Sequence, residues 1–199
     1  MELSQALSQI SEIHGYLART EVYRGYRPFP ILFSGAFALT AAALAGRVLH
    51  GDAGVSFVLY WVAVAVVSAF ACTAEIAFAY LREDEYARRH TRQVVGQFAP
   101  CMLAGALVTA ASLRVEAPLV SALPGVWAIL FGLGIFASRP YLPREIGWVA
   151  LFYVFAGGAT VFLATGAPSS WAMGLVFGLG QAGGALVLHR NREREYEPA

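Results

Sequence analysis

Five stretches of the chain contain no Asp, Glu, Lys or Arg, and their lengths decide the fold class. They are residues 28–46, 53–74, 93–113, 117–138 and 146–189. A helix needs about 20 apolar residues to cross the hydrocarbon core of a bilayer, so each of the first four stretches fits one crossing. The fifth is about twice that length and has the turn sequence TGAPSS near its middle. It therefore predicts two crossings joined by a tight turn.

The pattern predicts an all-α, polytopic membrane helical bundle. Its six transmembrane helices are preceded by an N-terminal amphipathic helix. The composition agrees, because 58% of the residues are hydrophobic and 14% are charged, whereas a soluble domain is about half apolar and about a quarter charged. The domains are an amphipathic segment of residues 1–27, a transmembrane domain of residues 28–189 and a charged tail of residues 190–199. The expected spans are about 30–49, 55–81, 94–113, 119–137, 146–165 and 170–188.

The N-terminal segment shows helical periodicity. Leu3, Leu7, Ile10, Ile13 and Leu17 are separated by steps of three or four residues, which sets them on one face of a helix. The segment is too polar to cross a membrane. We expect it to lie in the membrane interface or to pack on the cytosolic ends of the spans. It also lacks the charged start and long apolar core of a cleavable signal peptide.

The arginines predict the orientation of the bundle. With six spans, the N-terminal segment, the hinge between the second and third spans (residues 82–92), the connection 138–145 and the tail share one side. Those four regions hold every arginine except Arg47 and Arg114. Positively charged loops face the cytosol, so both termini are expected there. We expect an integral protein of a bacterial cytoplasmic membrane.

One carboxylate is predicted to lie inside the membrane. Glu75 precedes the end of the second span by six residues, or about 9 Å along a helix. A carboxylate at that depth is costly unless it is paired, neutral or hydrated, so Glu75 is a candidate substrate or proton site. Matching depth along the helices gives a layer of four further side chains at a similar level: Cys72, Gln97, Cys101 and Gln181.

The same residues also have a structural interpretation. Glu75 would then form a latch with an arginine such as Arg27, and the two glutamines would hydrogen-bond neighbouring helices. Buried free cysteines are usually inert, which is the interpretation we favour for both thiols. The residues alone leave the latch and the substrate site open.

A second candidate set lies on the cytosolic side and would contact a lipid phosphate or a protein partner. It comprises Arg82, Arg88, Arg89, Arg92, Arg139, Tyr141 and Arg144. The positive-inside rule explains the same arginines without any ligand.

Small residues recur at four-residue steps in two spans and predict close helix packing. The first stripe is Ser34, Ala38, Ala42 and Gly46, and the second is Gly174, Gly178 and Ala182. Such faces are candidates for homo-oligomer contacts. PILFSGA (30–36) resembles PCMLAGA (100–106), and WAILFGLG (127–134) resembles WAMGLVFGLG (171–180). Three related helical hairpins would produce these likenesses, and so would chance among apolar helices.

The favoured function is a small-molecule carrier or channel with Glu75 in the cytosolic half. The alternative is a non-catalytic membrane subunit, scaffold or sensor that binds a partner through the N-terminal helix, the hinge and the tail. No catalytic set or metal-ligand spacing appears, so no catalytic residue, metal site or cofactor is assigned and an enzyme is not predicted. The net charge of +1 gives no reason to expect nucleic acid, and lipid is the expected surrounding. A water-filled cavity at Glu75 would favour the carrier, and a dry bundle would favour the subunit.

Overall fold

The computed structural model describes residues 28–49, 53–82, 85–114 and 118–196. The N-terminal amphipathic helix expected over residues 1–27 lies outside the described residues, as do the last three residues of the tail. Within the described ranges the chain is all-helical and contains no strand, as the hydrophobic pattern predicts. The apolar helical bundle is compatible with an integral membrane protein.

Six α-helices and one short 3-10 turn make up the described chain. They are α1 (Pro28–Val48), α2 (Ala53–Arg82), α3 (Glu85–Ser112), α4 (Pro118–Ser138), the 3-10 turn Arg139–Tyr141, α5 (Ile146–Phe162) and α6 (Ser170–Tyr196). Five of these helices are long and apolar enough to cross a membrane, and α5 is shorter, with 17 residues. The helix expected over 146–165 therefore ends three residues early. The chain then turns through Gly166, which has a φ of 66° that suits glycine.

Neighbouring helices run antiparallel. The Tyr60 hydroxyl of α2 donates to the Ala41 carbonyl of α1 at 2.6 Å, and twelve residues later Cys72 Sγ lies 3.9 Å from the Pro30 carbonyl oxygen. In the same way, Trp127 Nε1 of α4 donates to Thr109 Oγ1 of α3 at 2.8 Å. We call the end of the bundle that holds the hinge the hinge end, and the opposite end the far end.

The helices follow one another around a ring in chain order, and α6 returns to pack on α1. Glycine closes two of its contacts. A Cβ atom at Gly157 of α5 would lie 2.7 Å from the Gly125 carbonyl oxygen of α4, and one at Gly35 of α1 would lie 3.1 Å from the Gly178 carbonyl oxygen of α6. The backbones approach this closely because no side chain separates them. These two contacts are the closed seams, α4–α5 and α1–α6.

The two small-residue stripes of the sequence meet each other in the α1–α6 seam. Ser34, Ala38 and Ala42 of α1 are buried, and Gly174 of α6 has Ala42 and Ala38 as its nearest neighbours. Only Gly46 of the first stripe is exposed, with nothing within 4 Å of the position of a Cβ atom. Most of the surface considered for homo-oligomer contacts is therefore used inside the chain.

Aromatic rings fill the bundle between α3, α4, α5 and α6. The Phe131 ring centroid lies 5.0 Å from that of Tyr153, 5.6 Å from that of Phe177 and 5.3 Å from that of Phe98. Tyr153 is fully buried, and its hydroxyl donates to the Phe177 carbonyl at 3.4 Å. Gly180 has no side chain to meet this ring, so α6 can lie directly against it. Edge-to-face contacts of this kind stabilise a dry core.

The contact between α2 and α3, the open seam, is much smaller than its neighbours in the ring. The first half of α2 is packed, with Phe57, Val58, Trp61 and Val64 buried, but no described side chain of α2 after Val64 is buried. Only 6% of the span in α3 is buried, against 39% of the span in α4. Helices α2 and α3 therefore leave a large apolar surface unused by the described chain.

Candidate functional site

Glu75 lies near the hinge end of α2, beside the start of α1. It is half-buried and follows Cys72 by three residues, so both side chains lie on one face of α2. The Cys72 thiol touches the Pro30 carbonyl, two residues after α1 begins. The structure therefore brings Glu75 and Cys72 together at the edge between α2 and the N-terminal end of α1.

The other members of the expected layer contact different helices. Cys101 of α3 packs on α4, where a Cβ atom at Gly134 would lie 3.3 Å from its own Cβ. Gln181 is half-buried in the α1–α6 seam, with its Cβ 2.9 Å from the position of a Cβ at Gly35. Gln97 is exposed on the outside of α3. The role of these residues as a substrate or proton site stays a prediction.

Gln97 is the most unusual of these placements. Its exposed amide lies in the first half of the span Thr91–Ser112 and makes no hydrogen bond to any described residue. Polar side chains inside a membrane usually face the bundle interior or a partner helix, because lipid offers them no hydrogen bond. An exposed amide within an apolar span is therefore a candidate for contact with a further helix.

In the hinge, Arg88 holds the end of α2. Its Nε donates to the Tyr80 carbonyl at 3.0 Å and its Nη2 to the Leu81 carbonyl at 3.4 Å. Its guanidinium carbon also lies 5.4 Å from the centroid of the Tyr80 ring. The last carbonyl groups of a helix lack partners within the helix, and a cation there also interacts favourably with the helix dipole. Arg88 therefore ties α3 to the hinge end of α2.

The remaining basic residues divide into held and exposed groups. The Arg139 guanidinium carbon lies 5.7 Å from the Phe136 ring centroid, and Gly147 leaves space for its side chain. Arg89, Arg92 and Arg144 are exposed and Tyr141 is half-buried, while the side chain of Arg82 lies outside the described residues. The Ser138 hydroxyl, at the end of α4, lies 3.0 Å from the Gly134 carbonyl oxygen of its own helix and 3.2 Å from the Val94 carbonyl oxygen of α3. The exposed arginines are free of this packing role and remain candidates for a lipid or partner contact.

The sequence reasoning missed Tyr153, which is a phenol in the middle of the bundle. It stands in an unbroken apolar run, so nothing in the local pattern distinguishes it from its neighbours. The space for the Tyr153 ring is provided by Gly180 on α6, where a side chain would meet the ring. That glycine is distant from Tyr153 in the sequence.

Within the described ranges, no group of three or more His, Cys, Asp or Glu residues is arranged to hold a metal ion. The His189 Nε2 atom lies 3.2 Å from Glu193 Oε1, one turn further along α6, and both side chains are exposed. Every buried side-chain nitrogen or oxygen in the described chain has a hydrogen-bond partner.

Comparison with known proteins gives no relative: no protein family, characterised protein or solved structure matches this chain.

Proposed function

We propose that this protein is a non-catalytic membrane subunit that binds a partner protein through the outer face of α3. The observation that carries the proposal is the exposed amide of Gln97 on a span that is 6% buried. A helix in lipid gains little from hydrophobic contact with another helix, so packing and hydrogen bonds decide association. Gln97 provides such a hydrogen bond, and a neighbouring transmembrane helix would satisfy it.

The residues around Gln97 suit a closely packed helix. Gly96 has nothing within 4 Å of the position of a Cβ atom, and Pro100, Leu103 and Leu107 are exposed further along α3. Because α3 begins at Glu85, the exposed Arg89 and Arg92 continue the same helix beyond the apolar span. The partner that fits is a transmembrane helix with small residues, a polar side chain at the level of Gln97 and acidic residues at its end.

The interior of the bundle supports a subunit over a carrier. Its described core is filled by aromatic rings and by helices in contact at glycine. Buried Ser34 and Ser112 donate to carbonyls of their own helices, so they offer no free group to a cargo. Polar groups that line a route for solutes need water or partners inside the bundle.

The proposed orientation has both termini in the cytosol. Antiparallel packing puts Arg88, Arg89, Arg139 and Arg144 at the hinge end, along with the charged end of α6. Arg47 and Arg114 lie at the far end. The excess of arginine at the hinge end supports a cytosolic location for that end.

Photo-crosslinking in native membranes tests the proposal. The crosslinker p-benzoylphenylalanine is incorporated in place of Leu107 on the exposed face of α3, and in place of Phe155 on the exposed face of α5 as a matched control. We expect one protein adduct of constant mass at position 107 and lipid adducts alone at position 155. Lipid adducts alone at both positions would overturn the proposal.

A carrier or channel remains the second candidate, favoured by the half-buried position of Glu75 at the edge between α2 and the N-terminal end of α1. A route along this edge between α1 and α2 would pass Cys72, and the chain has only two cysteines. In sealed vesicles, a route for solutes predicts that a charged methanethiosulfonate reagent labels Cys72 in a Cys101→Ser variant. The subunit predicts labelling only after denaturation. Glu193→Cys, at an exposed position on α6, gives the rate for a water-accessible thiol.

A further inference from the structure

The hinge end of α2 extends beyond the helix that supports it. Contacts between α1 and α2 progress from Ala41 with Tyr60 to Pro30 with Cys72. Since α1 begins at Pro28, the remaining residues of α2 have no part of α1 beside them. We call residues 75–82 the α2 overhang. It extends about 12 Å past the start of α1, at 1.5 Å per residue.

The α2 overhang exposes large apolar side chains. Phe78 is 67% exposed and Leu81 is 73% exposed, and Ala77 is exposed between them. The described contact from α3 is the Arg88 side chain, which reaches the carbonyl groups of Tyr80 and Leu81 and leaves these apolar side chains uncovered. An apolar surface near the end of a span is a place where another amphipathic element can bind.

We propose that residues 1–27 of the same chain cover the α2 overhang. These residues directly precede Pro28, so the chain leaves α1 beside the bare surface. If the spacing of contacts between α1 and α2 continued, position 27 would fall opposite Glu75, and that position is an arginine. Residues 2–24 as a helix would be about 34 Å long, which exceeds the length of the overhang. The segment therefore joins α1 next to the α2 overhang and is long enough to cover it.

Both the apolar pattern and the charge of this segment match the overhang. Its stripe of Leu3, Leu7, Ile10, Ile13 and Leu17 provides the apolar face that Phe78 and Leu81 need. Its arginines lie close to α1, at positions 19, 24 and 27, and the sequence that ends α2 and begins α3 is acidic at positions 83, 84 and 85. Opposite charges in these two stretches of sequence would favour one orientation of the segment. This assignment does not depend on the partner site on α3.

Photo-crosslinking of the full-length chain in its native membrane identifies the occupant. We incorporate p-benzoylphenylalanine at position 78, where it replaces Phe78, and at position 155 as the lipid-facing control. After proteolysis, an adduct at position 78 that contains a peptide from residues 1–27 of the same chain supports the proposal. An adduct with lipid alone, or one with a second copy of the chain, overturns it.

Substitutions in the N-terminal stripe test the mode of contact. In the chain with the crosslinker at position 78, Ile10→Glu with Ile13→Glu should reduce the intramolecular adduct about tenfold, a change that corresponds to about 1.4 kcal/mol. Ser4→Glu with Ser8→Glu, on the polar face, should leave the adduct unchanged. An equal yield from both double variants would overturn the proposal. The adduct at position 107 reports on the α3 partner separately, so the two proposals can fail independently.

Discussion

The closed seams and the open seam use the same kinds of residue in opposite ways. In the α1–α6 and α4–α5 seams, glycine and alanine let two backbones meet, as Gly35 does against Gly178 and Gly157 against Gly125. In the open seam, α2 and α3 also carry many small residues, but those residues are mostly exposed. Small residues permit close contact without choosing the partner. The closed seams hold the fold together, and the open seam remains available for binding.

Tyr153→Ala should have the largest effect, because it removes a ring on which Phe131 and Phe177 pack in the core of the bundle. Truncation of a large buried aromatic side chain costs about 3–5 kcal/mol, so we expect loss of most folded protein after detergent extraction. Phe155→Ala, two residues away on the exposed face of α5, is the matched control and should remain folded. Size-exclusion chromatography with thermal unfolding checks both variants. Equal stability would show that the aromatic cluster does not support the bundle.

Gly157→Leu should open the α4–α5 seam. A side chain there would meet the backbone of Gly125 and Ile129, and overpacking of this kind costs about 1–3 kcal/mol. Its neighbour Gly158 has nothing within 4 Å of the position of a Cβ atom, so Gly158→Leu should leave the unfolding temperature nearly unchanged. The difference between these adjacent glycines in a thermal unfolding assay tests the seam directly. Equal loss of stability at the two positions would contradict the seam, because leucine has a higher helix propensity than glycine and an uncrowded position should lose nothing.

Arg88→Ala should loosen the open seam without unfolding the bundle. It removes two hydrogen bonds to the end of α2, and a typical hydrogen bond contributes about 0.5–1.5 kcal/mol. We expect hydrogen exchange to become faster at the amides of the last turn of α2 and to stay unchanged in α5. Arg89→Ala, at an exposed neighbouring position, should change neither. Unchanged exchange in the Arg88 variant would contradict its role as the tie between α2 and α3.

Gln97→Leu should have the smallest effect, and only on association. A hydrogen bond between membrane helices contributes about 0.6 kcal/mol on average, so the yield of the protein adduct at position 107 should decrease by a few-fold at most. The unfolding temperature of the isolated protein should not decrease, because Gln97 touches no described hydrogen-bond partner. Leu103→Ala removes exposed apolar surface from the same helix and serves as the comparison. A loss of stability in the Gln97 variant would indicate a role inside the bundle.

The sequence predicted where the helices lie because charge-free stretches mark them, but α2, α3 and α6 extend into charged sequence at Arg82, Glu85 and Arg190. It did not predict which helices share a seam, since Gly178 indicates close packing but does not name Leu39 as its neighbour. Depth matching gave Gln97 and Cys101 a similar level, but depth contains no information on the direction around a helix. Gln97 consequently faces outward while Cys101 packs on Gly134. Tyr153 was missed for a related reason, because its role depends on Gly180 in another helix.

The short helix α5 has a consequence for the surrounding lipid. Its 17 residues give a length of about 25 Å, whereas the hydrocarbon core of a bilayer is about 30 Å thick. Exposed Trp148 and Phe162 mark its two ends, with 76% and 88% of their surfaces accessible. We expect acyl chains beside α5 to compress by a few ångströms, at a cost of a fraction of a kcal/mol per ångström. The thinning should be confined to the lipid beside α5, because the other five helices are long enough to cross a membrane.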